Sequence, residues 1–230
     1  MNSLLLLNGS PRGERSNSMK MLKRVAEGWV RGGGAQPEVL HLVRRAQFQR
    51  AVEAFAGADV VLLGMPLYTD AMPALVKAYI EALAPRVEAA RTGGTNPTLA
   101  FLVQSGFPEA AHSRPLERYL EKLAQRMGSH YAGTIVRGGG ESLQAMPEQA
   151  NRKLWARLQV LGEQLARDGR FGAAELKAIA GTERFSRFAV MLTSLACRLP
   201  AFHFYWNGML KKNGAWERRF AAPYGPAFGE

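Results

Sequence analysis

Leu4-Leu5-Leu6-Leu7-Asn8-Gly9-Ser10-Pro11-Arg12-Gly13-Glu14-Arg15-Ser16-Asn17-Ser18-Met19 is the stretch that decides how the chain is read. Consecutive leucines make a short strand buried on both faces, the kind found at the centre of a parallel sheet. The run breaks into Gly-Ser-Pro, and a helix begins soon after. Met19, Leu22, Val25, Ala26 and Trp29 share one helical face, and Ser16, Asn17 and Ser18 are residue types that cap helix N-termini. The connection is longer than a strand-to-helix turn needs. Its hydroxyls, its amide, Arg12 and Arg15 stand before the unpaired N–H groups of a helix end, which is the chemistry of an anion site. A plain helix cap with solvated arginines is the alternative reading. The loop carries neither G-x-x-x-x-G-K-[ST] nor G-x-G-x-x-G, so a single terminal phosphate suits it better than a dinucleotide pyrophosphate.

The remainder alternates strands and helices. Val39–Leu42, Asp59–Gly64, Thr98–Gln104 and Tyr131–Arg137 read as strands. Between them lie helices with Phe48, Ala51, Val52 and Phe55 inward and Gly57 closing, then Leu75, Ala78, Tyr79 and Ala82, then Leu116, Tyr119, Leu120, Leu123 and Met127. A last one uses Leu154, Leu158, Leu161 and Leu165 and stops at Asp168-Gly169. Arg91–Pro97 reads as a loop. Five strands alternating with five helices predict a doubly wound α/β fold with right-handed crossovers. Residues 170–230 break the pattern: a short helix over Ala173–Ala180, a strongly apolar one over Phe185–Leu199, then a tail marked by Trp206, Trp216, Tyr224 and Phe228. The expected division is a domain over 1–169 and a helical, apolar extension over 170–230. Phe188–Trp206 approaches the length of a membrane span, but Arg198 and Pro200 interrupt it. An arginine at the centre of a span costs about 2.5–3.5 kcal/mol, so packing on the domain or a partner subunit is expected instead.

Gly9-Ser10-Pro11-Arg12 followed by Ser16-Asn17-Ser18 resembles the FMN-phosphate loop of flavodoxin-like NAD(P)H-dependent FMN reductases, a family that includes relatives of the iron–sulfur flavoproteins. The resemblance implies that Ser10, Arg12, Ser16, Asn17 and Ser18 hold the flavin phosphate. Pro66-Leu67-Tyr68-Thr69-Asp70 is similar to the family's second flavin loop, in which Pro66, Leu67 and Tyr68 would wall the ring; Asp70 also reads as a helix cap. Ser105-Gly106-Phe107 is similar to the third loop, near the ring and ribityl chain. Gly138-Gly139-Gly140-Glu141 reads either as a wall of the substrate pocket or as a flexible connection. The resemblance also implies the flavodoxin strand order 2-1-3-4-5, with ligands at the switch between strands 1 and 3. It covers about residues 3–168, and Tyr205–Gly214 looks like the C-terminal segment of a subgroup with a helical extension. Iron–sulfur members carry a compact cysteine motif after the second flavin loop. This chain has none there, so a cluster is not expected.

Composition narrows the function classes. At 230 residues, 47% hydrophobic and 21% charged, the chain is globular. The lone Cys197 excludes an internal disulfide framework and a cysteine-ligated metal, and His41, His112, His130 and His203 have no ligand spacing, so no metal is expected. The net charge of +11 is spread among acidic residues rather than gathered in blocks, which reads as a solvated surface and not as a nucleic-acid site. Met1-Asn2-Ser3 leads straight into the first strand without a signal-peptide pattern, so a cytoplasmic location is expected. The expected function is an FMN-dependent oxidoreductase taking hydride from NADPH or NADH and passing electrons to a small-molecule acceptor, such as a quinone or a free flavin. A homodimer is expected from the apolar extension, without nucleic acid and without membrane contact. A flavodoxin-type electron carrier and a phosphate-binding module are the competing readings, the first weakened by the basic charge.

Overall fold

Strands β1 (Leu4–Asn8), β2 (Glu38–His41), β3 (Val60–Pro66), β4 (Thr98–Gln104) and β5 (Tyr131–Arg137) form one parallel sheet in the order β2-β1-β3-β4-β5. The computed structural model describes residues 3–93, 96–199 and 203–222. Pro200, Tyr224, Phe228 and part of the expected loop over Arg91–Pro97 lie outside the described residues. The helices are α1 (Asn17–Arg31), α2 (Arg45–Ala54), α3 (Ala74–Ala82), α4 (Ala84–Gly93), α5 (Arg114–Arg126), α6 (Ser142–Ala145), α7 (Arg152–Asp168), α8 (Ala173–Ala180), α9 (Arg187–Ala196) and α10 (Phe204–Lys212).

The leucine run explains the layers. Side chains alternate across a strand, so Leu5 and Leu7 join Val61, Leu63, Phe101 and Val103 on one face, under α2, α3 and α5. Leu4 and Leu6 join Val60, Leu62, Ala100 and Leu102 on the other, under α1 and α7. Both faces are covered, which is why these strands are continuously apolar.

Contact between α1 and α7 depends on two glycines. A Cβ at Gly28 would collide with the carbonyl of Gln159, and one at Gly162 with the carbonyl of Val25, so neither helix could carry a side chain there at this separation. Fully buried Trp29 lies beside this contact and donates its indole N–H to the Ala35 carbonyl at 2.9 Å.

Several expectations shift in detail. On α3 the buried residue types are Val76 and Tyr79, followed by Leu83, while Ala78 is exposed. Of the expected inward residues Leu75, Tyr79 and Ala82 do pack against the core, joined by the larger Val76 and Leu83, and Ala78 turns outward. Tyr79 also packs edge-on against Phe48, and burial raises its phenol pKa. Tyr119 is 52% exposed; Leu120 and Ala124 take the core side of α5. Gly57 sits in a 3-10 turn, Phe55–Gly57, rather than at a left-handed helix end. Helix α4 occupies residues expected to begin a loop.

The contacts divide the chain into units of residues 1–184 and 185–230. Phe171, Ile179 and Ala180 are buried in the first unit, and Ala110 and Ala111 donate to the carbonyls of Thr182 and Glu183. The segment just after Gly169 thus packs with the sheet. In the second unit α9 has no buried residue, and Phe188, Leu195 and Trp206 are exposed. Among the described residues no helix is long and apolar enough to cross a membrane, and no group of three His, Cys, Asp or Glu could hold a metal ion.

Candidate functional site

The strand order reverses between β1 and β3, and their carboxyl ends open the crevice in which doubly wound sheets bind ligands. Asn8, fully buried at the end of β1, organises the loop that follows. Its Oδ1 accepts from the Ser10 N–H at 3.1 Å and the Ser16 hydroxyl at 3.4 Å; its Nδ2 donates to the Gly13 carbonyl at 2.7 Å. The same Nδ2 lies 3.1 Å from Nδ1 of His41 on β2. A donor faces that nitrogen, so it accepts and the ring proton sits on Nε2. Burial, and after it the Arg44 charge, lower the His41 pKa, which favours this neutral ring.

Gly9 lets the loop press on β3 and α3. Its N–H donates to the Gly64 carbonyl at 2.8 Å, and a Cβ there would collide with Val76. Ser16 caps α1 by accepting from the Met19 N–H at 3.1 Å, a contribution of about 0.5–2 kcal/mol. Ser10 is buried and its Oγ accepts from the Arg12 N–H at 3.3 Å, leaving the hydroxyl proton to donate. Ser18 is buried with its Oγ 3.5 Å from the Gln104 Nε2, again an acceptor with a proton to spare. The N–H groups of Asn17 and Ser18, in the first turn, have no acceptor within their own helix.

The β5 loop closes over this turn. Asn17 Nδ2 donates to the Gly140 carbonyl at 2.8 Å, while its buried Oδ1 has no partner. Arg12 Nη1 lies 3.2 Å from Glu141 Oε1, both side chains about half exposed. An exposed pair of this kind contributes about 0–1 kcal/mol, so it yields readily to a competing anion. Gly140 donates to the Ser105 carbonyl at 2.7 Å, and a Cβ there would collide with Gln104. The four loops after β1, β3, β4 and β5 are thus stitched together at one end of the sheet.

The β3 loop is a different kind of structure. Leu67 is buried and its N–H donates to the Gln104 carbonyl at 2.8 Å. Tyr68 and Ala71 exchange two backbone bonds of 3.0 Å around Thr69 and Asp70, whose φ values are +47° and +60°. Two left-handed central residues make a type I′ turn, which ordinarily takes Asn-Gly. A threonine there is strained by about 1–2 kcal/mol. Asp70 is committed to this turn, and α3 begins at Ala74 behind Pro73 with no side-chain cap, so the helix-cap reading of Asp70 is set aside. Tyr68 is 45% exposed at the rim. Across the crevice Ser105 is buried, its hydroxyl donating to the Phe107 carbonyl at 3.1 Å, and the half-exposed Phe107 ring stacks on His112 at 4.6 Å.

All the expected loop residues therefore gather at the carboxyl edge. Ser10 and Ser18 each keep a hydroxyl proton to donate and Arg12 is paired with Glu141, whereas the Ser16 hydroxyl and the Asn17 Nδ2 are engaged with the protein. The roles of Asn8, His41 and Gln104 were missed by sequence reasoning, whereas Gly140 lies in the stretch expected to border the pocket. Asn8 stood in the decisive stretch, but its partner His41 lies 33 residues on and no local pattern joins them.

A family model for the flavodoxin-like fold matches residues 2–161. The chain belongs to this flavodoxin-like family. No curated protein matches its sequence. Solved structures similar to this flavodoxin-like chain include an NADH:FMN oxidoreductase in apo form, 17% identical, covering 81% of this chain and 97% of that one, with a TM-score of 0.56. An FMN-dependent NADH-azoreductase from Bacillus anthracis in complex with FMN is 16% identical, with coverages of 72% and 100% and a TM-score of 0.56. An NADPH-quinone reductase from P. pentosaceus is 20% identical, with coverages of 72% and 98% and a TM-score of 0.52. At these identities the likeness is one of fold.

Proposed function

We propose that the chain is an FMN-dependent NAD(P)H oxidoreductase. The observation that carries this reading is the loop from Ser10 to Ser18, which gathers hydroxyl protons and helix N–H groups at the topological switch of the sheet. A dianion at a helix N-terminus gains about 0.3–1 kcal/mol from the dipole, up to ~2 when partly buried, so the hydroxyls and Arg12 must supply the rest. Ser10, Ser18 and Arg12 hold the phosphate; Ser16 and Asn17 keep the loop in shape. Pro66, Leu67, Tyr68, Thr69 and Asp70 would line one side of the ring, and Ser105, Gly106 and Phe107 the other. FMN held there would supply hydride chemistry between NADPH or NADH and a quinone, a free flavin or another electron-poor aromatic. The protein's part is to align the two partners, and no obligatory acid or base side chain is assigned. The structures of oxidoreductase, azoreductase and quinone reductase reported above support the reading by sharing the fold.

The test is anaerobic visible absorbance of the FMN-reconstituted chain before and after stoichiometric NADPH and, separately, NADH. Rapid bleaching is expected. A flavin that binds but stays oxidised would mean a carrier, and no flavin binding would remove the reading altogether. We further propose a cytoplasmic homodimer in which the exposed Phe188, Leu195 and Trp206 meet a second copy. A monomer in light scattering at micromolar concentration would refute that.

A further inference from the structure

We propose that the cavity beneath the β5 loop is a second anion site, suited to a phosphomonoester group. The cavity, of about 260 Å³, is lined by Arg137, Ser142, Asn151, Lys153, Arg157 and Ile179 among others, and none of its lining residues is acidic. It holds a phosphate-sized group and not a whole dinucleotide.

Arg137, at the end of β5, donates from Nη1 to the Ile179 carbonyl at 3.0 Å, while its Nε is buried and has no partner. Among the described residues no carboxylate pairs with it. Asn151, only 6% exposed, likewise buries an Nδ2 without a partner. Lys153 and Leu154 bring the first turn of α7, the positive end of its dipole, to the same cavity. The Arg157 charge is shared with Glu175 at 3.5 Å, and the Ser142 hydroxyl donates to the Gly139 carbonyl at 2.7 Å, leaving its oxygen as an acceptor.

A half-buried guanidinium without a counter-ion, beside buried donors without acceptors, is an unfavourable arrangement for an empty protein. A ligand with several anionic oxygens in this cavity supplies the counter-charge that its lining, with Arg137 and Lys153 and no acidic residue, does not contain. A cation or an apolar group supplies none. Burial lowers the Arg137 pKa, so an anion beside it would favour the charged form. Phosphate and the 2′-phosphate of NADPH offer the same chemistry, and the second of these rests on the oxidoreductase reading.

The experiment titrates inorganic phosphate into the full chain saturated with FMN, so that the β1 loop is already filled, and follows binding by calorimetry. Saturable binding is expected, weakened about tenfold or more in Arg137→Met and in Lys153→Met, the second being a surface change that leaves the fold alone. If the KM for NADPH rises in both variants while kcat and the KM for NADH hold, the group is the cofactor's phosphate. If phosphate binding weakens and the KM for NADPH does not move, the site takes free phosphate. Either result supports the site. No saturable binding, or binding that both variants retain, overturns it. Should the chain fail to bind FMN, the oxidoreductase reading falls, and the same titration of the flavin-free wild type against the two variants still decides the cavity.

Discussion

The two units of this chain treat apolar side chains in opposite ways. In residues 1–184 the leucines, Trp29 and Tyr79 are sealed between sheet and helices, and even the polar Asn8 is fully buried with every amide valence used. In the described part of 185–230, Phe188, Leu195, Trp206 and Phe220 stand more than half exposed. The lesson is that the first unit is stable by its own interior, whereas the second carries apolar surface that its own helices do not bury. Substitutions should therefore cost much in one unit and little in the other.

The largest cost is expected at the glycine contact. Gly162→Val drives a side chain into the α1 backbone and should lower the unfolding free energy by about 3 kcal/mol or more, read as a fall in the urea midpoint. Asn8→Ala comes next, because it strands the Ser10 N–H in a buried place; a loss of about 2–3 kcal/mol is expected. If the proposed phosphate loop is right, the same variant weakens FMN while leaving phosphate-free riboflavin unchanged, which a merely structural role would not do.

A smaller effect concerns pH. The His41 pKa is lowered on folding, so below its unfolded value of about 6.5 the unfolded chain takes up the proton more readily. That share of stability is complete above the unfolded pKa and is lost as pH falls through the folded one. His41→Gln should flatten this slope in denaturant titrations between pH 7 and 5. Thr69→Asn, which suits a left-handed turn position, should raise stability by about 0.5 kcal/mol. Smallest of all, Phe188→Ser or Leu195→Ser should stay within about 0.5 kcal/mol of wild type in unfolding while reducing self-association in light scattering. A cost comparable to that of Gly162→Val would erase the contrast between the units.

What could be read from sequence follows the same divide. Strands β1, β3 and β4 were legible because a strand buried on both faces needs a nearly unbroken apolar run, whereas the edge strand β5, with Gly133 and Thr134 inside it, was legible from its place in the alternation and the glycines that follow it. The loop residues were legible as a set because hydroxyls and amides crowded behind a strand have few other uses. The glycine contact was not, since Gly28 and Gly162 within helices look like local weaknesses until two backbones are seen to need the space. On α3 Leu75, Tyr79 and Ala82 were placed on the right face and Ala78 was not, because an alanine fits either side of a helix. The left-handed turn at Thr69-Asp70 was hidden because neither residue belongs in that conformation by preference.

The glycine contact has one more consequence. At Gly28 and Gly162 the α1 and α7 backbones meet directly, so melting one helix would strip the other of its closest contact. Their amides should therefore exchange with deuterated solvent as a single block, at the rate of the slowest opening in residues 1–184, while amides of α9 and α10 exchange first.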